Sequence, residues 1–279
     1  MYADFISADF GYLRLPDGSM QARKILRPGK NRDGYFTNED IIAQAKQAAI
    51  IVKQQWPNIR HVFIYDNAST HAKRPDGALS ARKMPKYTSK RGQNWLVERN
   101  KIHPITRQPM RHSDGLFVKE RIPMDDTINP CMGQRQALYY SADHPRSPSL
   151  FKGMAQLLIE RGFDPQLFRR HGTAGALRAN CPGFKCVDTS LTSRCCTRCI
   201  LYNEPDFRQV ISLLELAMQQ HDIAVIFLPK FHCELNPIEQ CWGYAKRIYR
   251  LNPDSSKQEA LEANALAAVE SVPLSSMRK

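Results

Sequence analysis

Phe231-His-Cys-Glu-Leu-Asn-Pro-Ile-Glu-Gln-Cys-Trp-Gly-Tyr-Ala-Lys246 is the stretch on which the reading of this chain turns. It follows an apolar run, Ile223 to Leu228, that Pro229 closes. A buried strand therefore leads through a turn into a helix. Asn236 suits the N-cap and Pro237 the first helical position. Ile238, Cys241, Trp242, Ala245 and Ile248 then recur at helical spacing. Glu239 falls in the first turn, beside the strand end, and two readings of it stand. A carboxylate there can face a metal. Equally, Asn236 and Glu239 stand three apart like a capping box, in which the Glu serves only backbone N–H groups.

The 279 residues suffice for one large domain or two small ones, and at 42% hydrophobic they can bury a sizeable core. The net charge of +13 suits a polyanion, either nucleic acid or an anionic membrane surface. No apolar stretch approaches the ~20 residues that span a bilayer. Met1-Tyr-Ala-Asp4 turns acidic at once, unlike a signal peptide. Nucleic acid is thus the favoured partner, with no membrane and no small-molecule substrate, in an intracellular protein.

Working outward, residues 2–10 read as the tail of a strand and its turn. Pro16-Asp-Gly18 predicts a hairpin between Phe10–Leu15 and Ala22–Leu26. Thr37 or Asn38 caps a helix whose buried face is Ile41, Ala45, Ala48, Val52 and Trp56. His61–Tyr65 is a continuous apolar run, expected as a strand buried on both faces and ending at Asp66. From Ala72 to about Ser149 apolar periodicity is lost, and Lys73, Arg74, Arg82, Lys83, Lys86, Lys90 and Arg91 crowd together. That is a DNA-contacting loop region or a solvated charged face. A short helix over Met154–Arg161 precedes a cysteine cluster. A longer one opens at Pro205 and runs through Leu213, Leu214, Ala217 and Met218. Ser256 and Glu259 form a capping box for a last helix up to Pro273.

Three acids now occupy comparable places. Asp4 lies near the end of a first strand, Asp66 ends the buried strand His61–Tyr65, and Glu239 opens the helix after Ile223–Leu228. In α/β sheets, sites gather at the carboxyl ends of strands. Three converging carboxylates repel one another unless a cation sits among them. Mg²⁺ accepts carboxylate oxygens, and a pair of such ions serves phosphoryl transfer.

Asp66-Asn-Ala-Ser-Thr-His71, with Leu235-Asn-Pro-Ile-Glu239, Trp242 and Lys246, resembles the second and third acidic motifs of mariner-type DDE transposases. The likeness is greatest to transposon-derived DDE superfamily endonucleases of fungal genomes, and it extends to Asp4-Phe-Ile-Ser-Ala-Asp9, Lys30–Asp40 and Ala78–Pro85. It implies an α/β, RNase H-like mixed sheet flanked by helices, with a long irregular insertion between the fourth and fifth strands. Residues 1–72 and 222–279 would form the catalytic domain and 73–221 the insertion. It implies DNA strand cleavage with Mg²⁺ or Mn²⁺, then attack of a 3′-OH on target DNA, in the nucleus. Asp4, Asp66 and Glu239 would be the catalytic, metal-binding carboxylates, with Asp9 a weaker candidate for the first place. Asn67, His71 and Asn236 would support them. Arg82, Lys83, Lys86 and Lys246 are the candidate nucleic-acid contacts, and a homodimer is left open. Few residues precede Asp4, so against the resemblance the chain reads as truncated at its N-terminus, a transposon remnant whose cleavage activity is left open. The alternative is a non-catalytic, zinc-stabilised DNA-binding protein derived from a transposase.

Five of the eight cysteines fall between Cys181 and Cys199. Without a secretory signal they read as thiols or metal ligands. Cys181 and Cys186, with Cys195, Cys196 and Cys199, supply enough thiolates for a tetrahedral structural Zn²⁺ in a knuckle over 181–199. Similar sequences often lack the counterpart of Cys199, which favours the adjacent pair. Cys131, Cys233 and Cys241 read as small apolar residues.

Overall fold

A computed structural model describes residues 1–279 except Lys30, Arg107, Cys131, His171, Val187, Thr189, Lys230, Phe231 and Lys279, and of Phe184 and Cys233 it describes the backbone alone. The expectations for Cys131 and the Cys233 side chain thus lie outside the described residues. Contacts divide the chain into two units, Met1–Lys73 with Ile211–Lys279, and Arg74–Val210.

In unit one, helix α1 (Asn38–Gln55) starts at Thr37, whose hydroxyl accepts from the Asp40 amide while Asp40 accepts from the Thr37 amide at 2.9 Å. Its alanine-rich face, including Ile41, Ala45, Ala48 and Val52, shares one core with Phe63 of strand β5 (Val62–Tyr65) and with Leu214 and Met218 of helix α5 (Leu213–Gln219). Strand β5 pairs in parallel with β10 (Ala224–Phe227), Tyr65 opposite Phe227. Burial on both faces does not hold, because Phe63 is buried whereas Val62, Ile64 and Ile226 are exposed. Core residues of α1 and α5 pack with Phe63, so burial follows the period-two alternation of a strand.

Residues before α1 form an antiparallel meander. Strand β1 (Tyr2–Ala3) pairs with β4 (Lys24–Ile25), and β2 (Ile6–Ser7) with β3 (Gly11–Tyr12). At the Pro16–Gly18 turn, Arg14 bridges Gln21 and the Leu15 amide donates to Met20 O at 2.8 Å. Gln44 of α1 secures the meander, its Nε2 donating to Ala3 O at 2.8 Å and Ala22 O at 2.9 Å. Phe5 meets β5 through rings, 4.9 Å from Phe63 and 5.8 Å from Tyr65. Among the described residues every ladder is two strands wide, short of the continuous mixed sheet the resemblance implies.

Helices α6 (Pro237–Tyr249), α7 (Gln258–Glu270) and α8 (Leu274–Met277) close the unit over Cys241, Ala245, Val269, Val272 and Met277. The Ser256–Glu259 box does not form, since Lys257 is the N-cap of α7 and gives no side-chain bond.

Unit two has a core of its own, where an irregular insertion is expected. Helix α2 (Met154–Glu160) buries Met154, Leu157 and Leu158 with Met84, Leu138, Phe151, Leu201 and Phe207. Hairpin β6 (Val97–Asn100) with β7 (Lys119–Ile122), pair β8 (Thr127–Ile128) with β9 (Arg135–Gln136), and helices α3 (Thr197–Asn203) and α4 (Pro205–Arg208) complete it. The N-terminus of α2 has no side-chain cap, and Pro85 and Lys86 carbonyls accept from the Met154 and Ala155 amides instead. Gly153 permits this approach, since a Cβ there would lie 2.3 Å from the Tyr87 carbonyl carbon at a φ of +89°.

The helix expected from Pro205 through Met218 is broken. Ser212 and Glu215 form a capping box that starts α5 afresh. The unit boundary therefore lies at Ile211 and not at 222, because α5 packs on α1. Leu213 N donates to Lys73 O at 2.8 Å, so the chain returns where it left. Among the described residues no helix is long and apolar enough to cross a membrane.

A charged knot fixes unit two. Arg161, fully buried, donates to both Asp206 oxygens at 2.8 Å, to Glu204 at 2.9 Å and to Gln136 at 2.9 Å, and Thr127 donates to Asp206 at 2.6 Å. The Asp206 carboxyl sits below its ordinary range, because the Arg161 and Thr127 bonds outweigh the burial that opposes them. A depressed carboxyl stabilises the fold above its unfolded value near pH ~3.9, and that contribution is lost as pH falls through the folded value. Asp206→Asn should therefore lower stability at pH 7 by about 3 kcal/mol, with the deficit closing below pH ~4, as read by urea unfolding across pH.

Candidate metal centre and acidic cleft

Two sites emerge, one in each unit. In unit one, Asp4, Asp66, His71, Asn236 and Trp242 line a cavity of about 440 Å³. The parallel register explains part of this, since Asp66 follows β5 and Asn236 lies in the segment that follows β10. Glu239, on the first turn of α6, is exposed and does not line the cavity. The capping alternative is not realised either, because Asn236 makes no side-chain cap bond and no side-chain bond of Glu239 occurs among the described residues.

Asp4 already has a cation. Arg23 Nε lies 2.8 and 3.0 Å from its two oxygens, and both side chains are almost wholly excluded from water. Arg23 also bonds Glu270 of α7 and sits over the Tyr12 ring, 4.8 Å from its centroid. Burial pushes the Asp4 carboxyl up, against the pull of Arg23. Asp66 pairs with His71, Nδ1 to Oδ1 at 2.6 Å, and the same nitrogen lies 3.0 Å from the Asp66 carbonyl oxygen. As arranged, the three carboxylates do not fit one divalent cation. Among the described residues they form no group of metal-capable side chains. Asp9 is exposed, its amide bonded to the Ser7 hydroxyl, and Asn67 is exposed.

Of the basic candidates, Arg82, Lys83 and Lys246 are exposed. Lys86 is not free for phosphate. It is buried, and its ammonium donates to Leu177 O at 2.7 Å and Arg169 O at 2.9 Å. Two backbone carbonyls hold it inside unit two, that of Arg169 also accepting from the Tyr87 hydroxyl at 2.9 Å, a partnership no local pattern announces. Arg23 and Arg198 were not singled out by the sequence. The only signal for Arg23 is a charge inside the run Ala22–Leu26, and for Arg198 its position between Cys196 and Cys199.

In unit two, Cys181, Cys186, Cys195 and Cys196 bring their sulfurs within 4.8 Å of one another, a group that could hold a metal such as zinc. Tetrahedral zinc, with Zn–S bonds of ~2.3 Å, asks for sulfurs about 3.8 Å apart, so closure by about 1 Å suffices. Local structure builds the group. A 3₁₀ turn, Pro182–Phe184, carries the chain from Cys181 towards Cys186. Cys196 is the N-cap of α3, its sulfur accepting from the Cys199 amide at 3.4 Å. Cys199 lies outside the group, and its sulfur accepts from Asn203 Nδ2 at 3.9 Å.

The thiols are unequal. The buried Ser193 hydroxyl, turned to Cys195, favours its thiolate and lowers its thiol to about 7. The Cys181 thiol is pushed up to about 11, foremost by Cys195, and burial foremost raises Cys186. One thiolate forms readily and discourages the others, which a bound cation would relieve.

No protein-family model, no curated protein and no solved structure matches the chain.

Cys186→Ser should weaken Zn²⁺ binding at least about tenfold, whereas Cys199→Ser should leave it nearly unchanged, as measured by competition with a chromophoric chelator. Affinity should rise with pH from 6 to about 8, because thiols must lose their protons to bind.

Proposed function

We propose that the chain is a DNA-acting protein of the DDE endonuclease type. It would cut strands with Asp4, Asp66 and Glu239 in the presence of Mg²⁺ or Mn²⁺, and its insertion would be fixed by a structural Zn²⁺ on Cys181, Cys186, Cys195 and Cys196. The observation that carries the reading is the parallel β5–β10 pair, beyond whose carboxyl ends Asp66 and the start of α6 share a cavity with Asp4. The charge of +13 supports DNA as the partner. Its work would then lie in the nucleus.

A second reading is favoured by one contact. Arg23 fills the place at Asp4 that a metal would take, which suits a chain that binds DNA without cutting it. Nicking of supercoiled plasmid separates the two. The first expects Mg²⁺- or Mn²⁺-dependent nicking, lost by at least about a hundredfold in Asp66→Ala and Glu239→Ala. DNA binding without nicking by the unaltered chain, or nicking that survives both substitutions, would reject it.

A further inference from the structure

A second cavity of about 440 Å³ opens beside the cysteine group, wholly within unit two. Arg74, Arg82 and Arg198 line it together with Cys181, Cys186, Cys196 and Cys199, and no carboxylate does. None of the three arginines forms an ion pair among the described residues. Backbone carbonyls orient two of them. Arg74 Nη1 donates to Leu79 O at 3.2 Å, and Arg198 donates through Nη2 to Met84 O at 3.1 Å and through Nη1 to Ala81 O. Arg198 Nε is buried without a hydrogen-bond partner. Three guanidiniums without a carboxylate partner, lining one hollow, favour the entry of an anion. Guanidinium forks match phosphate oxygens in pairs. The volume, within the ~300–1,000 Å³ of small-molecule sites, exceeds what a bare oxyanion needs. Tyr202, about half exposed, lines the cavity and offers a ring on which a base can stack.

We propose that this cavity seats one phosphodiester unit of a single nucleic-acid strand, held by Arg74, Arg82 and Arg198, with Tyr202 beneath its base. The choice of nucleic acid over another oxyanion rests on the DNA-acting reading above, while the seat itself rests on the arginines. The competing role for the same residues is to neutralise the thiolates, since four thiolates around a divalent cation carry excess negative charge.

The full, zinc-loaded chain can be tested with two probes, a fluorescein-labelled oligothymidylate and thymidine 5′-monophosphate. Arg82→Gln and Arg74→Gln should each weaken binding of both on the order of tenfold, the scale of a lost charge-assisted contact. Zn²⁺ affinity should be unchanged. Arg146→Gln, at an exposed arginine of the same unit, should cost only the small loss due to general charge. Tyr202→Ala should weaken the oligonucleotide more than inorganic phosphate, added as a third probe that carries no base. Cavity variants that behave like Arg146→Gln overturn the proposal, as does loss of Zn²⁺ with phosphate binding intact. Binding of the mononucleotide but not of the strand overturns the assignment to nucleic acid. A chain that holds both probes in an arginine-dependent way yet never nicks plasmid supports the seat while the cleavage reading fails.

Discussion

Four residues paired with four others, Val62–Tyr65 with Ala224–Phe227, are the constraint on which unit one depends. The ladder joins segments separated by all of Arg74–Val210. Closing a flexible loop of that length costs roughly 4 kcal/mol in chain entropy. A short ladder, at about 1 kcal/mol net per hydrogen bond, barely offsets it. Helix α5 decides the balance. Leu214 and Met218 are fully buried in the core with α1, and side chains of that kind contribute about 1.5–3 kcal/mol each. They stand immediately before β10 and deliver it to β5. Unit two lowers the cost further by being ordered itself through its core and the Arg161 knot.

The buried ions divide into two kinds. Arg161 is answered on every side, by Asp206, Glu204 and Gln136, so its charge sits in unit two fully satisfied. Asp4 and Arg23 lie in a similarly dry place, but their chain ends at Glu270, about one-third exposed, on the penultimate helix. A buried pair that loses one member leaves a naked charge, at about 3–5 kcal/mol. The first strand, the meander and α7 are thus tied by one guanidinium, and anything that would draw Asp4 elsewhere must also resettle Arg23 and Glu270.

Much of this was legible in the sequence wherever the signal is local. Thr37 with the Ile41, Ala45, Ala48 and Val52 face marks α1. Asn236-Pro237 marks the start of α6, the two apolar runs mark β5 and β10, and the crowding of five cysteines marks the thiolate group, while spacing alone does not tell that Cys199 stands outside it. Illegible were the pairings made across the chain. Asp4 read as a ligand because its partner lies nineteen residues on, just before strand β4. Lys86 read as a surface cation because the carbonyls that hold it belong to Arg169 and Leu177. The core of unit two went unseen because Met84, Met124, Leu138 and Phe151 are scattered through a long polar, turn-rich stretch, without the period that betrays a helix or strand. The RNase H-like sheet remains a matter of resemblance, as Phe5 touches β5 by its ring and not by its backbone.

The hydrogen bond from Leu213 N to Lys73 O has a consequence for how such a chain can evolve. The excursion begins and ends at one doorway, so the host framework need not stretch to admit what lies between. A lineage could lengthen, trim or exchange that guest without disturbing its host, and drift in one compartment need not be matched in the other.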